Sequence, residues 1–240
     1  MQLYYIRHAQ SVNNAHWEQT GSNIGRRMDP ELTDIGRRQA EVLAQFLKQE
    51  SPDSSTSGED FQNRSGFHLT HVYTSLMERA VCTGTTIAEV LGLPLVAWMD
   101  LHESGGLFQE NGETGELVGQ PGPNRKYFEQ HHPNLVYPPA LGEEGWWNKS
   151  FEEYEERPAR AQRVLEELIT RHGGSEDRVA FVSHGGFYNY LLMAILGLSS
   201  KDGFWFLMHN TAISRFDFVD GRVVVVYQNR VDFLPQELIK

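Results

Sequence analysis

The chain has a single cysteine, Cys82. One thiol excludes an intramolecular disulfide and matches a reducing, cytoplasmic setting. No apolar run approaches the roughly 20 residues that a membrane-spanning helix needs. The opening residues form no basic and then apolar leader; Met1 runs straight into a strand-like segment. Basic residues are scarce: 21 Lys and Arg face 32 Asp and Glu, for a net charge of −11. That balance argues against nucleic acid as a partner. It does not argue against a phosphate-bearing small molecule, because a cleft can focus a positive field within an acidic protein. No repeat is visible, and the adjacent His131 and His132 have no partner at metal-ligand spacing. The runs 104–106 and 185–186 fit no nucleotide-binding fingerprint. The expectation is an enzyme with no metal and no cofactor.

What is present is a set of strand ends that carry cations and imidazoles. Leu3-Tyr4-Tyr5-Ile6 reads as a buried strand and delivers Arg7-His8. Val179-Ala180-Phe181-Val182 delivers Ser183-His184-Gly185-Gly186. Between them, His71-Val72-Tyr73-Thr74 leads through Ser75 to Arg79. Open α/β sheets place their ligands at such carboxyl ends. Guanidinium binds phosphate oxygens in a bidentate way. An imidazole oriented by a hydrogen bond on one nitrogen can attack phosphorus with the other.

Along the chain, strands alternate with helical patterns, which predicts an α/β fold. A three-layer sandwich with a mainly parallel mixed sheet is expected. Residues 2–7 are strand, and Asp34 reads as the N-cap of a helix reaching about Glu50. The helix carries Ile35, Ala40, Val42, Leu43, Phe46 and Leu47 as its apolar stripe. The breaker-rich segment 51–58 reads as a mobile loop. A helix from about Met77 to Gly92, a strand at 95–98 and Glu103 follow. Residues 104–150 hold eight of the 22 glycines and five of the ten prolines. They read as a cap inserted into a single domain spanning 1–240. A helix is expected over 151–172, with Arg160 and Arg163 on its solvated face. A strand at 178–182 and a helix at 187–196 come next. A hairpin turns at Asp220-Gly221. Its aromatic face leaves a homodimer open.

These motifs, in this order, resemble the histidine phosphatase superfamily, in its phosphoglycerate mutase-like branch. The family opens with Arg-His-Gly-Glu-Ser-x-x-Asn; Arg7, His8, Ser11 and Asn14 match, while Ala9 and Gln10 depart. The family's later blocks resemble residues 29–40, Ser75 to Ala80 with Thr83, Leu101-His102-Glu103, Ser183 to Gly186 and Asn210 to Ile213. Ala9 is the smallest replacement for a glycine. Gln10 removes a charge near the phosphate site and is expected to alter substrate contacts.

The resemblance implies His8 as the nucleophile. Arg7, Arg79 and His184 then hold the phosphoryl oxygens, with Asn14 and Gly185 completing the pocket. It implies Glu103 as the acid and base, held protonated by burial under the cap. The function expected is hydrolysis of a small phosphate monoester through a phosphohistidine. A cofactor-dependent phosphoglycerate mutase is the alternative, and a catalytically inactive phosphate-binding regulatory module a further one. Two features favour the hydrolase. The cap has three basic residues against six glutamates. Ser104-Gly105-Gly106 also stands where family mutases carry Arg and Tyr. Phe108, Trp146, Trp147 and Tyr154 are candidates for an apolar wall around the leaving group.

Overall fold

A computed structural model describes residues 1–51, 60–199 and 203–240. The mobile loop expected at 51–58 falls, after Ser51, outside the described residues. In chain order, β1 (Gln2–Arg7) leads to α1 (Val12–Thr20) and α2 (Asp34–Lys48). Next come β2 (His71–Thr74), α3 (Glu78–Leu91), β3 (Leu95–Ala97) and a 3-10 turn at Met99–Leu101. The segment that follows holds β4 (Phe108–Glu110), β5 (Leu117–Gly119), α4 (Arg125–His131) and β6 (Leu135–Val136). The chain closes with α5 (Arg157–His172), β7 (Arg178–Ser183), α6 (Gly185–Leu196), β8 (Ile213–Val219) and β9 (Arg222–Arg230), before a final 3-10 turn.

The main sheet has seven strands in the order β6-β3-β2-β7-β1-β8-β9. The first five run parallel, while β8 and β9 are antiparallel. β1 shows why both faces must be covered. Tyr4 and Ile6 enter one core with Leu43, Leu47 and Ala80; Leu3 and Tyr5 enter the other with Leu165, Phe187 and Leu191. The period of two along the strand splits its apolar residues between the layers. Helices α2 and α3 therefore cover one face and α5 and α6 the other. Each fully buried leucine of these layers contributes about 1.5–3 kcal/mol.

Several boundaries differ from expectation. Thr33, not Asp34, caps α2, accepting the Gly36 amide at 3.0 Å. Ile35 is exposed, whereas Ala40, Leu43, Ala44 and Leu47 are buried. The polar run after His8 is a helix: Ser11 and Asn14 cap α1 reciprocally, and the helix buries none of its residues. With no apolar stripe to read, periodicity could not reveal it. The insertion is not all cap, because β6 pairs with β3 as the edge of the main sheet. Two residues are too few for a strand pattern. Helix α5 starts at Arg157, with Pro158 in its first turn. At the hairpin, Asp220 (φ 49°) and Gly221 (φ 72°) are both left-handed, as a type I′ turn requires.

Candidate active site

Parallel pairing of β2, β7 and β1 puts Ser75, His184 and His8 at one sheet edge. Hydrogen bonds between the strand ends fix them. The Tyr5 hydroxyl lies 2.8 Å from both Ser183 Oγ and the His184 carbonyl. Ser183 Oγ donates to the Leu101 carbonyl at 2.7 Å, which ties in the segment that carries Glu103.

His8 is 3% exposed, and its Nδ1 lies 2.7 Å from the Ala9 carbonyl. A carbonyl only accepts, so Nδ1 carries the ring proton and Nε2 presents its lone pair. Arg79 Nε donates to that lone pair at 3.1 Å. The His184 ring lies 5.1 Å away, centroid to centroid. Its Nε2 is 2.9 Å from Ser75 Oγ. That oxygen also accepts the Met77 amide at 3.1 Å. His184 Nδ1 is a buried atom with no partner among the described residues. Both imidazoles are held well below the ordinary histidine range. For His8 the causes are burial first, then Arg79 and Arg7; for His184 they are burial, Arg79 and His8. Each is neutral at pH 7, and His8 presents its Nε2 lone pair.

The cations come from β1 and α3. Arg7 Nη1 donates to the Met208 carbonyl at 2.5 Å, and its buried Nε has no partner among the described residues. Arg79 Nη1 stands 3.6 Å from Asp29 Oδ1. Burial pushes the Asp29 carboxyl up to about 6, against the lowering effect of Arg79. Thr83 Oγ1 accepts the Ala9 amide at 3.0 Å and donates to the Arg79 carbonyl at 2.7 Å. One hydroxyl therefore links the backbone that orients His8 to the helix that carries Arg79. Gly185 opens α6, and a Cβ there would stand 3.4 Å from Arg7 Nε. Asn14 spends its Oδ1 on the Ser11 cap and on Asn210 Nδ2, which also donates to the His8 carbonyl at 2.9 Å.

Glu103 is half-buried rather than buried, and its carboxylate accepts three amides: Ser104 at 2.7 Å, Phe187 at 2.8 Å and Gly186 at 3.1 Å. Two of these open α6, whose N-terminus favours negative charge. Gly186 is needed for this approach, since a Cβ there would meet Glu103 Oε1 at 2.4 Å.

Gln10 does not face the phosphate site. Its buried side chain binds Thr33 Oγ1 at 2.7 Å and Glu18 at 3.1 Å. Of the four aromatics proposed as a wall, Trp146 and Trp147 pack behind His102, and Tyr154 is exposed beneath Arg157. Phe108 lies under the guanidinium of Arg26 at 4.6 Å and edge-on to Phe151 at 4.9 Å.

Sequence reading missed two arginines. Arg160 is not on a solvated face; it is 2% exposed. It donates to Glu152 Oε1 at 2.5 Å and Oε2 at 2.7 Å. It also donates to the Asp100 carbonyl at 2.8 Å and the His102 carbonyl at 2.9 Å, just before Glu103. No sequence signal marked it, because arginine at a helix position normally reads as surface. Arg26 sits in a loop without periodicity.

Two clusters of described residues bring ligand-type atoms within 4.8 Å of one another: Glu78, Cys82 and His132, and His71, His172 and Asp177. In both, the groups already bind each other. Glu78 receives Cys82, His132 and Tyr127, and His172 lies between Asp177 and Tyr73. Burial and Glu78 push the Cys82 thiol up, which keeps it protonated.

Known proteins are similar to this chain. A protein of Yersinia pestis (strain Pestoides F) named "Probable phosphoglycerate mutase GpmB" is 26% identical over 221 residues, which cover 92% of this chain and 86% of that protein. The crystal structure of a phosphoserine phosphatase from Entamoeba histolytica, in complex with 3-phosphoglyceric acid, superposes with a TM-score of 0.58 at 20% identity. That match covers 98% of this chain and 99% of the other. A mycobacterial glucosyl-3-phosphoglycerate phosphatase with VO3 gives a TM-score of 0.58 at 19% identity, covering 96% and 99%. At such identities the two structures speak for the fold. The family model of branch 1 matches residues 3–231, nearly the whole length over which the strand ends converge, so the chain belongs to the histidine phosphatase superfamily.

Proposed function

We propose that the protein is a phosphomonoester hydrolase acting on a small phosphorylated metabolite through a phosphohistidine on His8. The observation that carries this reading is the fixed tautomer of His8. Its Nδ1 proton is spent on Ala9, and its Nε2 lone pair faces Arg79 in a pocket that also holds Arg7 and His184.

His8 Nε2 attacks phosphorus in line as the P–O bond to the leaving group breaks. The entering phosphoryl group takes the Nε–H of Arg79 from the His8 lone pair. Arg7, Arg79 and His184 then meet its equatorial oxygens, with the Asn14 amide as a neutral donor. Glu103 hands a proton to the departing oxygen and later takes one from the water that hydrolyses the phosphohistidine. The proton it hands over arrives with the substrate's phosphate monoanion. Two guanidiniums and an imidazole already neutralise the phosphoryl oxygens, so no metal is required.

Hydrolysis is favoured over transfer by the insertion. Arg125 is committed to the Leu141 and Pro139 carbonyls at 2.9 and 3.1 Å, and Lys149 lies over Trp147. Neither is free to hold a phosphoglycerate for a second transfer. The mutase reading draws on the name of the Yersinia relative. Rapid, acid-free quenching with a labelled ester should trap phosphate on His8, and a normal burst in His8→Ala would overturn the assignment. Phosphate release and phosphoglycerate interconversion, measured in one preparation, separate the two readings. Interconversion outrunning hydrolysis would establish the mutase.

A further inference from the structure

Arg26 has a position that the phosphoryl chemistry does not use. Its guanidinium lies over the Phe108 ring at 4.6 Å, and among the described residues it makes no ion pair. The nearby carboxylate whose charge it feels is Glu103, and Arg79 in turn feels Arg26. Phe108 packs on Gly105, two residues after Glu103, so the ring places Arg26 on the Glu103 side of the site. Phe108 is itself braced: its ring meets Phe151 edge-on at 4.9 Å, and Gly105 runs so close that a Cβ would fall within 2.9 Å of Phe108. The ring is a platform that holds the guanidinium. The insertion carries six glutamates and three basic residues, of which Arg125 binds main-chain carbonyls and Lys149 lies over Trp147.

We infer that Arg26 binds a second oxyanion on the leaving group, so that the preferred substrates are phosphate monoesters of small molecules carrying another carboxylate or phosphate. This rests on the phosphatase reading and narrows its substrate class. Glu103 is the group read as protonating the ester oxygen, and Arg26 stands on the same side of the site through Phe108. A planar fork on an aromatic platform suits a carboxylate or phosphate that lies a few bonds from the ester oxygen. A neutral sugar or polyol offers Arg26 nothing comparable.

The test compares four esters on the full chain: phosphoserine and 3-phosphoglycerate for the carboxylate, a sugar bisphosphate for the second phosphate, and glycerol 2-phosphate as the neutral control. Aryl phosphate hydrolysis serves as the common reference. In the unaltered protein, kcat/KM for at least one dianionic class should exceed that for glycerol 2-phosphate by about tenfold or more. Arg26→Gln should erase most of that preference through KM, leaving glycerol 2-phosphate and the aryl ester within about twofold. Arg26→Lys should restore it in part. Which class loses more identifies the second anion. If Arg26→Gln slows all four esters equally, Arg26 only supports Phe108 and the inference fails. It also fails if the unaltered protein shows no preference for the anionic esters. Failure of the unaltered protein to hydrolyse even the aryl phosphate would instead sink the phosphatase reading.

Discussion

Arg160→Met should cost far more than a substitution on a helix surface. The side chain is 2% exposed and makes four hydrogen bonds, two to Glu152 and two to main-chain carbonyls. Methionine matches much of its volume but none of its donors. The change strands a carboxylate that is 6% exposed, left with the Gly105 amide at 3.1 Å and Arg157 Nε at 4.0 Å. Breaking a buried pair from one side costs about 3–5 kcal/mol. Each orphaned carbonyl adds about 1 kcal/mol where water cannot reach it. About 5–7 kcal/mol is therefore expected, most of the stability of many domains. Urea unfolding followed by tryptophan fluorescence measures it. Adding Glu152→Gln removes the stranded charge, and the double variant should regain about 2 kcal/mol over Arg160→Met alone. Activity carries a second signature. The lost donors bind the carbonyls of Asp100 and His102, so Glu103 loses its anchorage, and alkyl phosphates should suffer more than aryl phosphates. A loss below about 1 kcal/mol, or a double variant no better than the single, would refute the argument that this pair holds the Glu103 segment.

Further outcomes follow from the same geometry. Glu103→Gln should slow alkyl esters strongly and aryl esters less, because a good leaving group needs little protonation; equal slowing of both would remove Glu103 from the proton path. His8, His102 and His184 are buried below the ordinary histidine value, so the unfolded chain binds more protons than the folded one below about pH 6.5. Their stabilisation is present above that pH and is lost as pH falls, at up to about 4 kcal/mol per pH unit for the three. Asp29, raised to about 6, acts in the opposite sense: its folded form gains stability as pH falls from about 6 toward 4. The urea midpoint should therefore begin to drop near pH 6.5 and keep falling as the pH is lowered, and a midpoint flat from about 7.5 to 5.5 would contradict neutral buried imidazoles. Gly36→Ala should destabilise by several kcal/mol, because its Cβ would meet the Gln10 carbonyl at 2.1 Å, a backbone atom that cannot swing aside. Extensive chelation should leave turnover unchanged; activity lost to a chelator and restored by magnesium or zinc would show that the pocket's own cations are insufficient.

The strand ends were legible in the residues themselves. β1 is a short unbroken apolar run that delivers Arg7-His8, and β7 does the same for His184. These signals are local: a buried run, then cationic or imidazole residues where it stops. The long amphipathic helix α2 and the Asp220-Gly221 turn were local as well, and so was the parallel sheet implied by alternating strands and helices. What depended on the assembled structure was everything set by burial and by contacts distant in sequence. Helix α1 has no apolar stripe, and β6 is two residues long, so neither had a periodicity to read. Arg160 could be placed in the interior only once Glu152 and two carbonyls were there to receive it. The proton on His8 was decided by the Ala9 carbonyl, and the orientation of the Glu103 carboxylate by amides that the chain supplies more than 80 residues later. Sequence named the residue types that phosphate chemistry needs; their tautomers, charges and supports came from the tertiary structure, because hydrogen bonding and desolvation belong to neighbours that only the fold brings together.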